Sequence, residues 1–148
     1  MNKAFVREAD DIAPRCPACG SLGTEVLRDT LAAQIPEELR RQLTDSAWFC
    51  PFDRCEVVYF DAFDRRVSVE QIPTAIYPKD PTAPICACLG TTAEDIERDL
   101  DEGTVLRTRA CVKFAQSPEA RCVTASATGQ SCEAEVQRYY MKRKAERG

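Results

Sequence analysis

The segment PICACLGTTAED, residues 84–95, places Cys86 and Cys88 one residue apart, just before the predicted start of a helix. A disulfide between such close neighbours would close a very tight ring and would brace almost none of the chain. Packing alone does not require two thiols at this spacing. The chain has nine cysteines and no histidine in 148 residues, so the pair has to be interpreted together with the other seven cysteines.

The absence of histidine limits the chemistry that the chain can perform. It removes Ser-His and Cys-His nucleophile pairs and the usual general base near neutral pH. It also removes Cys₂His₂ zinc sites and Rieske-type clusters, so a transition-metal site is expected to use thiolates alone. The formal net charge of −4 argues against general nucleic-acid binding. The composition therefore favours a redox carrier over an enzyme with its own substrate pocket.

The hydropathy of the sequence predicts a cytoplasmic protein that does not insert into membranes. No stretch reaches the roughly 20 apolar residues of a membrane span, and the first residues, MNKAFVREADD, lack the apolar core of a signal peptide. In a reducing compartment, clustered cysteines are interpreted as metal ligands before disulfides. The basic tail RYYMKRKAERG is interpreted as a solvated helix end that needs no partner.

A proline-rich joint divides the predicted α+β fold into two lobes. The joint, YPKDPTAP at residues 77–84, can continue neither a helix nor a central strand. Residues 1–76 are predicted to form a zinc-ribbon-like β lobe, with a helix between residues 25 and 43 that is interrupted near Pro36. Its strands are predicted in AWFC, EVVYFDAF and RRVSVEQI. Four aromatic side chains are expected to pack its core: Trp48, Phe49, Tyr59 and Phe60.

The second lobe, residues 85–148, is predicted to be mostly helical. TTAEDIERDLDEG has the pattern of a capped helix, with Thr91 and Glu94 as a capping box and Gly103 at its end. Further helices are predicted in TVLRTRACVKFAQ and from Cys132 onward, and the segment SPEARCVTASATGQSC between them is predicted to be a loop.

The cysteines of the first lobe have the spacing of a metal site. A C-x2-C pair is followed by thirty residues and a C-x4-C pair: Cys16, Cys19, Cys50 and Cys55. Two such turns on facing hairpins can supply the four thiolates of a tetrahedral zinc ion. Four thiolates leave no open position, so the site is expected to be structural. Iron or another metal, and a dithiol redox pair, remain the alternatives, although no βαβ pattern follows to support the redox pair.

The strongest set of ligands in the second lobe consists of Cys86, Cys88, Cys122 and Cys132. A mononuclear tetrahedral metal prefers the wider C-x-x-C spacing, whereas a two-iron cluster offers more terminal positions, two of which a C-x-C pair can fill. The following helix N-terminus favours thiolates and an anionic cluster. Small residues at 125–129 leave backbone N–H groups free to bond sulfur. The spacing favours a [2Fe–2S] cluster, with a second zinc ion as the alternative.

The ordered combination of these motifs, over residues 15–139, resembles the amino-terminal domain of the two-domain CopZ copper chaperones. The matching motifs are the CPACG turn, the block WFCPFDRCEVVYF, the C-x-C pair followed by a helix, and the loop RCVTASATGQSC. The resemblance implies a mononuclear zinc and a [2Fe–2S] cluster. The C-x-C pair followed by a helix is also similar to the bacterioferritin-associated ferredoxins, which end in C-x-x-C instead.

The sequence departs from the CopZ pattern at two places. In the final loop, Ser126 and Ala127 replace an asparagine-proline pair, and the sequence Ser131-Cys132 replaces a double cysteine. The family's copper-binding domain, with its MxCxxC motif, is not found within these 148 residues. The ninth cysteine, Cys111, is interpreted as a buried free thiol, with replacement of Cys132 as fourth cluster ligand as the alternative.

The cysteine pattern and the CopZ resemblance together suggest two functions. The first is an electron-transfer protein of copper or metal homeostasis, which the resemblance links to reduction of Cu(II) to Cu(I) or to service of a separate copper chaperone or redox partner. The second is a non-redox scaffold that holds two metals and binds a protein partner. The oligomeric state, the reduction potential and the identity of the partner are not indicated by the sequence.

Overall fold

The computed structural model describes residues 14–147 and has the predicted α+β architecture. The first 13 residues, which belong to the predicted zinc lobe, lie outside the described part. Four strands are formed: β1 Thr24–Val26, β2 Ala47–Phe49, β3 Val57–Asp61 and β4 Arg66–Ser68. The α-helices are α1 Arg28–Gln34, α2 Glu37–Arg40, α3 Ala93–Glu102, α4 Leu106–Ala115, α5 Cys122–Ala125 and α6 Glu133–Arg147. None of the helices within residues 14–147 is both long and apolar enough to cross a membrane.

The four strands form one antiparallel sheet in the order β1-β2-β3-β4. Every residue of β3 is buried. Helices α1 and α2 pack on one face of the sheet, and the four cysteines of the first lobe, called here the first cysteine set, lie on the other. Leu39 and Leu43, four residues apart, are both buried as their spacing predicts. Of the four predicted aromatic core residues, three are fully buried and Trp48 is half-buried.

The second half of the described chain is a cluster of three longer helices, α3, α4 and α6, which pack against one another. The turn between α3 and α4 is fixed by Asp99, a fully buried carboxylate. It accepts hydrogen bonds from the backbone N–H groups and the side chains of Arg107 and Thr108, at 2.7–3.2 Å. A buried charge with this many donors is stabilised where an unpaired one would not be.

The loop that carries the last two predicted cluster ligands is docked on the first half of the chain. The Thr30 hydroxyl of α1 donates to the Val123 carbonyl at 2.5 Å, and the Gln34 amide donates to the Thr124 carbonyl at 2.7 Å. The buried Tyr59 hydroxyl of β3 donates to the Ala127 carbonyl at 2.6 Å. The two halves therefore share an interface at α1, β3 and α5.

Two local predictions are corrected by the structure, and a third is made more exact. The N-cap of α3 is Thr92, paired with Asp95 in a capping box, and not Thr91 with Glu94. Thr91 is unavailable because it is buried and pairs with Cys86 in the preceding turn. The segment predicted as a loop after Pro118 contains the short helix α5. The helix expected from residue 25 or later begins at Arg28, within the predicted range, because residues 24–26 pair with β2 as strand β1.

The basic tail is the end of α6 and is mostly exposed, and two of its arginines form ion pairs within the chain. Arg143 and Arg147 of α6 each donate to the Glu97 carboxylate of α3 at 2.6 Å, and the Tyr139 hydroxyl donates to the same carboxylate at 2.8 Å. Arg147 also contacts Asp101 at 2.6 Å. These contacts connect the end of α6 to α3.

Candidate metal centres

The first cysteine set converges on one point beside the sheet. The Sγ atoms of all four cysteines predicted as zinc ligands lie within 4.8 Å of one another. Cys16 Sγ lies 3.8 Å from Cys55 Sγ, and Cys19 Sγ lies 3.5 Å from Cys50 Sγ. A tetrahedral zinc ion with Zn–S bonds of about 2.3 Å sets its sulfurs about 3.8 Å apart. The spacing of the thiols therefore fits a single four-coordinate ion.

Groups two residues along the chain form hydrogen bonds with three of these sulfurs. The N–H of Val57 donates to Cys55 Sγ at 3.5 Å. Burial raises the pKa of the Cys19 thiol, but hydrogen bonds with the Ser21 side chain and backbone outweigh it and lower the pKa to about 6. Burial raises the pKa of the Cys50 thiol to about 12, against the lowering effect of the Phe52 N–H. In each case the donor lies two residues after the cysteine.

Lys79, from the proline-rich joint, also contacts this centre. Its ammonium donates to the Phe52 carbonyl at 2.6 Å and counteracts the rise in the pKa of Cys50. Four thiolates around a divalent cation leave a net charge of about −2, which a neighbouring cation stabilises. No motif marks this lysine in the sequence, since the prolines of the joint indicate only a break between lobes.

The two cysteine turns share one backbone conformation. In the turn CPACGS the Gly20 N–H donates to the Cys16 carbonyl at 2.9 Å, and in CACLGT the Gly90 N–H donates to the Cys86 carbonyl at 2.7 Å. Both glycines have positive φ, 79° and 85°, which glycine adopts without the strain of a side chain. In the first turn the second cysteine is three residues after the first, whereas in the second turn it is two residues after, at Cys88.

This difference in position separates the sulfurs of the second turn. Cys86 Sγ lies within 4.8 Å of the sulfurs of Cys111 and Cys132, and all three residues are buried. Cys88 does not belong to this compact set and is only half-buried, accepting a hydrogen bond from the Arg121 N–H at 3.2 Å. The two sulfurs of the C-x-C pair therefore lie in different surroundings.

Cys122 lies on the same side as Cys88. Burial raises the pKa of the Cys122 thiol, and the neighbouring Cys88 raises it further. Like Cys88, Cys122 is half-buried and does not belong to the compact set. The four predicted cluster cysteines are thus divided into a buried pair, Cys86 and Cys132, and a more accessible pair, Cys88 and Cys122.

Cys111, which the sequence pattern marks mainly as a packing residue, lies among the cluster cysteines in the structure. Cys111 is fully buried on α4, and its Sγ lies 3.9 Å from Cys132 Sγ. Hydrogen bonds from the thiols of Cys111 and Cys132 lower the pKa of the Cys86 thiol. The one sequence signal for this position is the odd number of cysteines.

Comparisons with known proteins match the first half of the chain to a family model and most of the chain to one curated relative. Residues 13–73 match the family model of the CopZ zinc binding domain. The curated "Copper chaperone CopZ" of Archaeoglobus fulgidus is 25% identical over an alignment of 133 residues; the match covers 84% of this chain and 60% of that protein's length.

The fold of this chain is similar to that of a solved structure. The X-ray structure of the Archaeoglobus fulgidus CopZ N-terminal domain is matched with a TM-score of 0.69 and 23% identity, over 84% of this chain and 96% of that one. On these matches, residues 13–73 are similar to the CopZ zinc binding domain, and the fold over most of the chain is that of the CopZ N-terminal domain.

Proposed function

We propose that this chain is an electron-transfer protein of copper homeostasis that binds one zinc ion and one [2Fe–2S] cluster. The zinc ligands are the four cysteines of the first set: Cys16, Cys19, Cys50 and Cys55. The cluster ligands are the four that the spacing predicts in the second half: Cys86, Cys88, Cys122 and Cys132. The proline-rich joint at residues 77–84 separates the zinc lobe from the cluster lobe.

One contrast between the two centres carries the proposal. The first four sulfurs lie within 4.8 Å of one another, as one tetrahedral ion requires. In the second centre, Cys88 and Cys122 lie outside the compact set that contains Cys86 and Cys132. Sulfurs split into two pairs suit a centre with two metal atoms better than a single ion. The thiolate-only donor set is the one that iron–sulfur clusters use.

The unequal burial of the two pairs supports electron transfer. Cys86 and Cys132 are 1% and 7% exposed, whereas Cys88 and Cys122 are half-buried. A [2Fe–2S] cluster supplies one-electron transfer, which in copper homeostasis can provide Cu(I) from Cu(II) for a separate copper chaperone. The accessible pair gives a redox partner a short path to the centre, and the buried pair protects the ligand set from solvent.

The copper part of the proposal is supported by the name of the relative, a copper chaperone, of which this chain spans only part. The chain has a formal net charge of −4, so a partner with a basic docking face is favoured. The proposal also includes a cytoplasmic location, where thiols stay reduced and available as metal ligands.

The experiment is a reduction assay on protein purified without oxygen. Dithionite is expected to bleach the visible bands and produce an S = 1/2 electron paramagnetic resonance signal, and air is expected to restore the colour. Addition of Cu(II) to the reduced protein, with a Cu(I)-specific chelator, is expected to yield Cu(I) while the iron content stays constant. Reversible bleaching without Cu(I) would retain the electron carrier and exclude the copper reaction.

The alternative is a non-redox scaffold that holds two zinc ions and binds a protein partner. Its support is the compact set itself, since three buried thiols within 4.8 Å can also hold a mononuclear ion. Colour distinguishes the two proposals, because a protein with two zinc ions is colourless and an iron–sulfur protein is reddish-brown.

A further inference from the structure

Cys111 lies where a ligand of the second centre could lie. Its Sγ is 3.9 Å from Cys132 Sγ and within 4.8 Å of Cys86 Sγ, and its side chain is fully buried. Cys132 Sγ likewise lies within 4.8 Å of Cys86 Sγ. Two sulfurs that share one tetrahedral metal atom with thiolate ligands are about 3.8 Å apart, so either cysteine can be paired with Cys86.

The two candidates are held by different but adjacent elements. Cys111 lies in the middle of α4, whereas Cys132 immediately precedes α6, and the Val136 N–H of α6 donates to the Cys132 carbonyl at 2.9 Å. Because α4 packs against α6, exchange between the two sulfurs requires side-chain rotation and no separation of helices. The Cys132 position is the more exposed of the two, at 7% against 0%.

We propose that Cys111 is a reserve ligand of the second centre, which takes the place of Cys132 when that thiolate is lost or chemically blocked. This rests on the proposed cluster. The exchange is balanced without an oxidant or reductant: a new metal–sulfur bond to Cys111 forms as the bond to Cys132 breaks. Where the Cys132 thiolate leaves intact, it takes up the proton released by the Cys111 thiol; where Cys132 is blocked or substituted, that proton passes to solvent. The number of thiolates on the centre stays the same, and so does its charge.

Of the two buried ligands, Cys132 is the one whose loss a reserve ligand would offset. Within the buried pair, Cys132 follows the small-residue loop that docks on α1, and movement of that loop would carry its sulfur away. Cys111 is held by the interior of a ten-residue helix and does not depend on the loop. Substitution of Cys132 should therefore be tolerated, whereas substitution of Cys122, which lies outside the compact set, should not.

The test uses four variants of the full chain, purified without oxygen: Cys111→Ala, Cys132→Ala, the double variant of these two, and Cys122→Ala as the matched control. Iron, acid-labile sulfide and the absorption spectrum are measured, and zinc content reports whether the fold is retained. We expect Cys111→Ala to resemble wild type. We expect Cys132→Ala to keep most of its iron and sulfide with shifted visible bands, and the double variant and Cys122→Ala to lose nearly all of both.

Two outcomes would contradict this assignment. If Cys132→Ala kept its zinc but lost iron as fully as the double variant, Cys111 would be a packing residue only. If Cys132→Ala also lost its zinc, Cys132→Ser would be measured in its place. Retained zinc together with a loss of iron as complete as in the double variant would then contradict the assignment. A wild-type protein without iron and sulfide would overturn the proposed cluster itself, a result distinct from loss in the Cys132 variants alone.

Discussion

Replacement of Gly129 by alanine is expected to weaken both the fold and the retention of metal at the second centre. Gly129 has φ 76° and lies in the loop that carries Cys122 and Cys132. A Cβ built on it would overlap the Thr30 hydroxyl and lie 3.3 Å from the Thr30 Cβ. Thr30 is fully buried, and its hydroxyl already donates to the loop, so it has little freedom to move.

Two terms set the magnitude. A left-handed backbone conformation costs a residue with a side chain about 1–2 kcal/mol relative to glycine. Overpacking of a filled interior adds about 1–3 kcal/mol. Together they predict a loss of about 2–5 kcal/mol in the free energy of unfolding. Gly103→Ala is the matched control, since Gly103 has φ 70° and an added Cβ there would have no atom within 4 Å. The control carries the first term alone.

The assay is urea unfolding of the metal-loaded proteins, followed by circular dichroism, together with the rate at which a chelator removes iron. Gly129→Ala should be less stable than Gly103→Ala and should release iron faster, because its overlap with Thr30 displaces the ligand loop. If the two variants agreed within about 0.5 kcal/mol and released iron at the same rate, the loop would not be packed on α1 as described.

The other predictions concern the two halves separately. Cys50→Ser should reduce protein yield and zinc content together, because structural zinc binding contributes about 10–16 kcal/mol in small domains; unchanged zinc would remove Cys50 from the ligand set. Lys79→Ala should lower zinc affinity about ten-fold, as is usual for loss of a group that contacts the ligands of a metal. Lys79→Arg should retain most of the wild-type affinity. A competition titration with a chromophoric chelator measures both affinities. Asp99→Asn should lower the free energy of unfolding by about 3 kcal/mol, because the amide can keep only about half of the four hydrogen bonds that the buried carboxylate accepts. A loss below about 1 kcal/mol in urea unfolding would show that the turn between α3 and α4 does not depend on this carboxylate.

The longer elements are predictable from the sequence because their signals are local. Helix α3 has acidic residues in its first turn and Gly103 at its end, and α4 ends three residues before Pro118. The predicted α+β class is likewise confirmed by the four-stranded antiparallel sheet and its helices. Helix α5 is not predicted because its segment, CVTA, has no strong helical pattern; contacts from Thr30 and Gln34 hold three of its carbonyls instead.

The candidate centres show the same division between local and tertiary signals. The convergence of the first four cysteines follows from two short turns, and their spacing alone suggests it. The position of Cys111 depends on how α4 packs against α6, which no spacing within the sequence encodes. Lys79 reaches the first centre from a joint whose prolines give no indication of where its side chains point.

The most direct test of the proposed zinc and [2Fe–2S] centres is the metal content of protein purified without oxygen, measured together with its absorption spectrum. We expect stoichiometric zinc, iron and acid-labile sulfide in the proportions of a [2Fe–2S] cluster, and visible bands that dithionite bleaches and air restores. A colourless protein with zinc at both centres and no sulfide, from cells supplied with iron, would contradict the proposal.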